Sequence, residues 1–153
     1  MAAIYESKMP WSPDRPRTLA VLCSDGRWRY HIEEFIATHL GAGAPVDVVA
    51  VPGGIEPLTL ADLCPKDFSF LRRRMEMLVD AHALKRVIAV GHQDCAWYRA
   101  RTMGPRLDPH ERQIADLRGA AAWLRGTYPE LRVETYLARL GSTSQRVAFE
   151  VVP

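Results

Sequence analysis

Short runs of apolar residues alternate along the chain with longer segments in which apolar residues recur at helical spacing. Each short run ends at a polar or glycine-containing turn, and such a run is typical of a strand buried on both faces of a parallel sheet. These runs are TLAVLC at 18–23, PVDVVAV at 45–51 and KRVIAVGH at 85–92. The helical segments predicted from the apolar spacing are 30–40, 66–83 and 109–126.

The end of the chain has a different pattern. Two strand-like runs, 131–140 and 145–152, are separated by GSTS at 141–144, which predicts an antiparallel hairpin. Strands that alternate with helices and then close with a hairpin predict an α/β fold. We expect a mostly parallel β-sheet of about four parallel strands plus an antiparallel edge strand, flanked by helices.

Residues 1–16 contain three prolines and little apolar pattern, so we interpret them as an N-terminal arm. We expect residues 17–153 to form a single domain, since a chain of 153 residues is the size of one domain. The helix at 66–83 has an apolar face that we expect to be buried, and a polar loop is expected between His92 and Pro109. The residues of that face are Phe70, Leu71, Met75, Leu78 and Val79.

Composition and charge exclude several classes of protein. Lys plus Arg is 20 and Asp plus Glu is 18, so the net charge is 20 − 18 = +2, without the basic excess of a nucleic-acid-coating protein. No run approaches the roughly 20 apolar residues that cross a bilayer, and the N-terminus lacks the apolar stretch of a signal peptide. The three cysteines are too few for a disulfide scaffold. We therefore expect a cytoplasmic protein with no nucleic-acid or membrane partner.

Chemically versatile side chains follow two of the predicted strands. The first strand ends in CSDGR at 23–27, and the third ends in HQDC at 92–95. Ligands of open parallel sheets bind just beyond the carboxyl ends of the strands, so we expect Cys23, His92 and Cys95 to converge there. Two thiolates and one imidazole suit zinc in a tetrahedral site, and three protein ligands leave a fourth position open for catalysis. Zinc can lower the pKa of its bound water to about 7 and so supply hydroxide at neutral pH.

Asp25 and Arg27 lie beside the first of these candidate ligands. The Asp25 carboxylate can accept a hydrogen bond from zinc-bound hydroxide and orient it, or it can swing in as a fourth ligand and close the site. Arg27 can hold Asp25 by a bidentate pair that keeps the carboxylate ionised and away from the metal.

These motifs resemble those of the β-class carbonic anhydrases, which carry C-x-D-x-R after the first strand and H-x-x-C after the third. The resemblance implies Cys23, His92 and Cys95 as Zn²⁺ ligands and Asp25 and Arg27 as the catalytic dyad. It also implies reversible hydration of carbon dioxide to bicarbonate by zinc-bound hydroxide, hence a zinc lyase, and a homodimer or dimer of dimers. It extends from about Arg17 to the final hairpin, although only the two motifs are specific.

The chain departs from the family pattern in several places. Only about 16 residues precede the first strand, Gly26 replaces a common serine, Ala96 replaces a common glycine, and the pocket wall reads VPGGIEP at 51–57. The altered wall leaves room for a related zinc hydrolase acting on carbonyl sulfide or carbon disulfide. A non-catalytic zinc-binding protein and thiol redox chemistry between Cys23 and Cys95 are further alternatives.

Several residues near the motifs can also be explained without a role in catalysis or metal binding. Cys64 has no partner at metal-ligand spacing, and we interpret it as a bystander. Trp28 and Trp97 could line an apolar pocket or simply pack, and a histidine such as His31 could carry protons. The sequence does not identify a proton shuttle.

Overall fold

The structure is a computed structural model that describes residues 3–42, 45–100, 108–142 and 145–153. Five strands and four α-helices are present in this part of the chain. In chain order the elements are β1 (Thr18–Cys23), α1 (Gly26–Glu34), β2 (Asp47–Val51), α2 (Pro65–His82), β3 (Arg86–His92), α3 (Ala96–Ala100), α4 (Pro109–Thr127), β4 (Arg132–Leu140) and β5 (Val147–Val151). A π-helical turn, Phe35–His39, continues α1, and a 3₁₀ helix, Glu56–Thr59, precedes α2.

The strands form one sheet in the order β2-β1-β3-β4-β5. The first four strands of that order are mutually parallel, and β5 pairs with β4 antiparallel. The register places Leu22 beside Val90 on β3 and Cys23 beside Val51 on β2. The predicted sheet of four parallel strands with an antiparallel edge strand is therefore confirmed. Of the predicted turn at 141–144, residues 143–144 lie outside the described residues.

Alternate residues of β1 and β3 face opposite helical layers, which explains why residues 19–22 and 87–90 are apolar without interruption. Leu19 and Val21 pack with Leu71 of α2 and Leu117 of α4 on one face of the sheet. On the other face, Ala20, Leu22, Ile88 and Val90 pack against α1 and the π-helical turn through Trp28, Ile32 and Ile36. A strand covered on both faces has no solvent-facing position for a polar residue.

Helix α1 begins earlier than the sequence pattern predicts. The predicted helix spans 30–40, whereas α1 begins at Gly26 with Asp25 as its N-cap and reaches His39 through the π-helical turn. The buried apolar residues Trp28, Ile32 and Ile36 recur every four residues, so the apolar spacing extends into the first turn of α1, which the predicted helix left out. Gly41 follows this helix with a φ of +56°, as is typical of a glycine after a helix C-terminus. The capping aspartate is the feature that marks the true start.

Two other predictions were wrong. The segment between His92 and Pro109, predicted as a polar loop, contains the short helix α3, and its residues 101–107 lie outside the described residues. Phe70 of α2 is 47% exposed instead of buried. The guanidinium of Arg74 lies 4.0 Å from the centre of the Phe70 ring, which is cation–π geometry. This stacking on the solvent side covers part of the ring without burial in the core.

Residues 3–16 contain no helix or strand and are exposed apart from Pro16, which is half-buried. The guanidinium of Arg15 donates to the carbonyl of Ala81 at 3.1 Å and ties the end of this segment to α2. The division into an arm at 1–16 and a domain at 17–153 stays a prediction. Among the described helices, none combines the length and the hydropathy needed to span a bilayer.

Candidate metal centre

The candidate site lies at the carboxyl ends of β1 and β3, which are neighbours in the sheet. Cys23 is the last residue of β1, His92 is the last residue of β3, and Cys95 precedes α3. Because the two strands are parallel and paired, their ends meet at one edge of the sheet. The convergence that we expected from the sequence is therefore present.

One ligand atom from each of Cys23, His92 and Cys95 lies within 4.8 Å of the other two. The two Sγ atoms are 3.8 Å apart. Sulfur atoms about 2.3 Å from a tetrahedral zinc ion would be separated by about 3.8 Å, so the thiol pair has the spacing of two ligands on one ion. Among the described residues, neither Asp25 nor Cys64 joins a group of this kind.

His92 is 1% exposed, and its two ring nitrogens have different surroundings. Nδ1 lies 2.8 Å from the carbonyl oxygen of Gln93, which requires Nδ1 to carry the proton and donate it. Nε2 then holds a lone pair, and it is buried without a hydrogen-bond partner. The ring of Trp28 stacks on the imidazole at 5.1 Å between centroids and restricts its rotation. A buried, unpaired nitrogen beside two thiols is suited to bind a metal ion.

The hydrogen bond between the two cysteine side chains favours the thiolate form of Cys95 and the thiol form of Cys23. The hydrogen bond from Cys23 lowers the pKa of Cys95 to about 4, although burial opposes this shift, and the backbone N–H of Tyr98 lowers it further. The same interaction and burial raise the pKa of Cys23, against the lowering effect of the N–H groups of Asp25 and Gly53. The two sulfurs thus share one proton until a cation replaces it.

Asp25 and Arg27 form the predicted pair. Arg27 Nε lies 3.0 Å from Asp25 Oδ1, and Arg27 Nη2 lies 2.5 Å from Asp25 Oδ2, so the contact is bidentate. The backbone N–H of Arg27 also donates to Oδ1, as expected of an N-cap. The hydrogen bond from the Arg27 side chain lowers the pKa of Asp25 to about 2. The carboxylate is therefore ionised at neutral pH and held by Arg27 outside the Cys–His group.

A cavity of about 430 Å³ opens beside the candidate metal ligands. His92 and Cys95 line it together with Tyr98, His110 and the N-terminal end of α4. His31, considered above as a proton carrier, lines a different cavity of about 350 Å³ next to β5. The histidine that shares the cavity of the candidate ligands is His110, which the sequence pattern did not single out.

The turn that follows β2 packs directly on the site. A Cβ atom on Gly54 would lie 3.2 Å from the backbone nitrogen of Cys23, and one on Gly53 would lie 2.3 Å from Cδ1 of Trp97. The indole Nε1 of Trp97 donates to Glu56 at 2.9 Å, and Glu56 is only 4% exposed. Trp97 therefore packs against the turn. Glu56 was missed because a single acidic residue in VPGGIEP has no spacing signal.

The fold and the site define an α/β protein with a candidate Cys₂His metal centre at the carboxyl edge of a mostly parallel sheet. A protein-family model described as "Putative carbonic anhydrase" matches residues 14–147. The chain belongs to this carbonic anhydrase family. No curated protein matches the chain at a significant level.

Solved structures similar to the chain are β-carbonic anhydrases. Isoform I from Trichomonas vaginalis has 12% sequence identity and a TM-score of 0.60, with 95% of this chain and 88% of that chain covered. CafA from Aspergillus fumigatus has 20% identity and a TM-score of 0.50, with 90% and 76% covered. The Coccomyxa enzyme in complex with acetazolamide has 15% identity and a TM-score of 0.51, with 88% and 72% covered. At these identities the likeness shows the β-carbonic anhydrase fold.

Proposed function

We propose that this protein is a zinc-dependent carbonic anhydrase that reversibly hydrates carbon dioxide to bicarbonate and a proton. The observation that carries the proposal is the buried, unpaired Nε2 of His92 in a group with the Sγ atoms of Cys23 and Cys95. The family of the chain agrees with this chemistry. The proposed enzyme class is a zinc lyase of the carbonate dehydratase type.

Cys23, His92 and Cys95 would hold the zinc ion. Two soft thiolates and one imidazole favour zinc over the hard cations that prefer oxygen ligands. When bound with three protein ligands, zinc supplies Lewis-acid chemistry that brings the pKa of a coordinated water to about 7. The Gln93 carbonyl holds the His92 tautomer in which Nε2 is free to bind.

Asp25 and Arg27 would act on the attacking water. The Asp25 carboxylate accepts a hydrogen bond from that water and so directs an oxygen lone pair toward the carbon of the substrate. Arg27 holds the carboxylate in this orientation and keeps it ionised. In this arrangement Asp25 is a positioned acceptor rather than a fourth ligand.

The direct test is zinc content followed by a stopped-flow carbon dioxide hydration assay on the same sample. We expect one zinc per chain and hydration far above the rate in buffer. Negligible hydration by fully zinc-loaded protein would overturn the proposal and favour a non-catalytic zinc-binding role. Absence of zinc in protein purified and reconstituted under reducing conditions would overturn the metal assignment itself.

A related small substrate is the second candidate. Carbonyl sulfide and carbon disulfide are linear triatomic molecules like carbon dioxide, and the cavity of about 430 Å³ beside the candidate ligands has room for any of the three. Carbonyl sulfide and carbon disulfide should therefore be assayed beside carbon dioxide. Faster turnover of either sulfur compound would assign the protein as a hydrolase of that substrate.

We also propose a homodimer, or a dimer of dimers, in a reducing compartment such as the cytoplasm. Support comes from four large apolar side chains that are exposed in the proposed arm, since exposed apolar surface marks protein contacts. They are Ile4, Tyr5, Met9 and Trp11. Light scattering of the full chain should give twice or four times the mass of 17.2 kDa. The compartment is supported by the free cysteines, which must stay reduced to bind zinc.

A further inference from the structure

The two cysteines of the site lie in separate segments of the chain, with several helices and strands between them in sequence. Cys23 ends β1 and contacts the Gly53–Gly54 turn after β2, while Cys95 belongs to the segment between β3 and α3. The relative position of the two sulfurs therefore depends on contacts between the β2–α2 segment and the start of α3. The Glu56–Trp97 hydrogen bond is a polar contact between these two segments.

The Gly53–Gly54 turn closely constrains Cys23. The carbonyl of Val51 accepts the N–H groups of both Ser24 and Gly54, at 3.1 and 2.9 Å, so the end of β1 and the turn share one acceptor. The backbone N–H of Gly53 also hydrogen-bonds the Cys23 thiol. A shift of this turn would therefore move a donor away from a candidate metal ligand.

Trp97 holds the turn from the other side. The Cα of Gly53 faces the edge of the indole so closely that a Cβ there would meet Cδ1 at 2.3 Å and Nε1 at 2.6 Å. Gly53 has a φ of +79°, which favours glycine independently of this contact. Trp97 follows Cys95 by two residues and packs against the cluster of Cys23, Cys95 and Tyr98. One indole ring thus contacts the surroundings of both sulfurs.

Glu56 determines the orientation of that ring. Its Oε2 accepts the indole N–H at 2.9 Å, and its side chain is in a buried part of the 3₁₀ helix. The Thr59 hydroxyl, which has a single proton to share, lies 2.8 Å from the carbonyl oxygen of Glu56 and 3.0 Å from Oδ1 of the buried Asp116. Burial makes a lost partner costly for either the carboxylate or the indole N–H. The pair is therefore anchored to α4 as well as to the turn.

From this geometry we infer that Glu56 is a positioning residue of the metal centre, acting through Trp97 on the turn that contacts Cys23. The inference rests on the proposed zinc function but concerns residues outside the ligand set and the dyad. The acceptor oxygen Oε2 of Glu56 is the atom that contacts the indole N–H. Partners that hydrogen-bond a metal ligand directly change metal affinity by about 10- to 100-fold when removed, and we take the same range for Glu56, which acts through Trp97 and the turn.

The experiment measures zinc affinity by competition with a chromophoric chelator at pH 7 under reducing conditions. We expect Glu56→Ala to raise the zinc dissociation constant about 10- to 100-fold. Glu56→Gln keeps an oxygen that accepts the indole N–H and should stay within about 3-fold of the parent chain, because a neutral acceptor satisfies the same donor. Trp97→Phe should weaken zinc binding as Glu56→Ala does, and adding Glu56→Ala to it should then have little further effect.

The matched control is Glu134→Ala on β4. Glu134 is also a largely buried carboxylate and accepts from Arg86 at 2.7 Å and from Tyr136 at 2.9 Å, but Arg86 is at the opposite end of β3 from His92. We expect this variant to lower the stability of the fold with zinc affinity unchanged. The visible spectrum of Co²⁺-loaded Glu56→Ala should also differ from that of the parent, while the control should match the parent.

Three outcomes would overturn the inference: unchanged zinc affinity in Glu56→Ala, equal loss in Glu56→Gln, or equal loss in the Glu134→Ala control. If Glu56→Ala does not fold, the zinc affinities of Glu56→Gln and Trp97→Phe in the same assay test the inference. A parent chain that binds zinc but does not hydrate carbon dioxide would contradict the proposed function and leave this inference standing.

Discussion

The Sγ atoms of Cys23 and Cys95 lie 3.8 Å apart, although 72 residues separate the two cysteines in the chain. A disulfide requires about 2.05 Å between the sulfurs, whereas two ligands of one tetrahedral zinc require about 3.8 Å. The pair thus has the spacing of metal ligands in the free-thiol state. The thiol redox alternative therefore needs movement of the sulfurs, and the metal alternative does not.

Removal of any one candidate ligand should abolish stoichiometric zinc binding. We expect Cys23→Ser, His92→Ala and Cys95→Ser each to retain less than about one tenth of the zinc of the parent chain, since each removes one of only three protein ligands. Zinc is measured by mass spectrometry of dialysed protein. Cys64→Ser is the matched control, because Cys64 is outside the group and should keep full zinc. Zinc retained by all three ligand variants would contradict the site.

Asp25→Asn should separate catalysis from metal binding. Asparagine caps a helix as well as aspartate does, so the fold and the zinc content should remain. The hydration rate should fall about 100-fold, the lower part of the range for loss of a positioned acceptor of this kind. Stopped-flow hydration at saturating zinc provides the measurement. Glu33→Gln, in a surface pair with Arg29 on the same helix, should change neither rate nor zinc content.

The ionisation of Asp25 should depend on Arg27. In the parent chain the carboxyl should titrate with a pKa of about 2, and in Arg27→Ala this pKa should rise toward the usual 3.8, because the side-chain hydrogen bond is the largest cause of the shift. The pKa is lower in the folded state than in the unfolded state. Asp25 therefore contributes stability fully above about pH 4 and loses it as pH falls through about 2.

Carboxyl NMR of Asp25 across pH gives the folded-state pKa directly. Urea unfolding of the parent and Asp25→Asn at several pH values provides the second readout. The difference in unfolding free energy should shrink as pH falls from 4 to 2. An Asp25 pKa that is the same with and without Arg27 would contradict the pair.

Gly53→Ala should be strongly destabilising. Alanine would have to adopt a φ of +79°, and its Cβ would overlap the Trp97 ring. The left-handed backbone and the overpacking together should cost about 2–4 kcal/mol of unfolding free energy. Gly26→Ala is the matched control, since a Cβ there meets nothing within 4 Å and Gly26 begins α1. Urea unfolding should place the control within about 1 kcal/mol of the parent.

Much of the fold could be predicted from the order of apolar runs. Residues 19–22 of β1 and 87–90 of β3 are apolar without interruption because each strand is covered by helices on both faces. The early start of α1 could have been predicted, because Trp28 lies four residues before Ile32 on the buried face and Asp25 is a typical N-cap. Phe70 was misassigned because a helical apolar pattern does not distinguish burial from stacking on Arg74.

By itself, the sequence determined the alternation of buried strands and helices and the residue types at the strand ends, namely Cys23, His92, Cys95, Asp25 and Arg27. These features are local, since the apolar residues of a short run indicate a buried element and the residues of each motif lie within five positions of one another. Only the tertiary structure decided that the sulfurs lie 3.8 Å apart, that His92 Nε2 is unpaired, and that Glu56 orients Trp97 against Gly53. Those relationships join residues far apart in the chain, so they depend on the packing of the sheet and its helices.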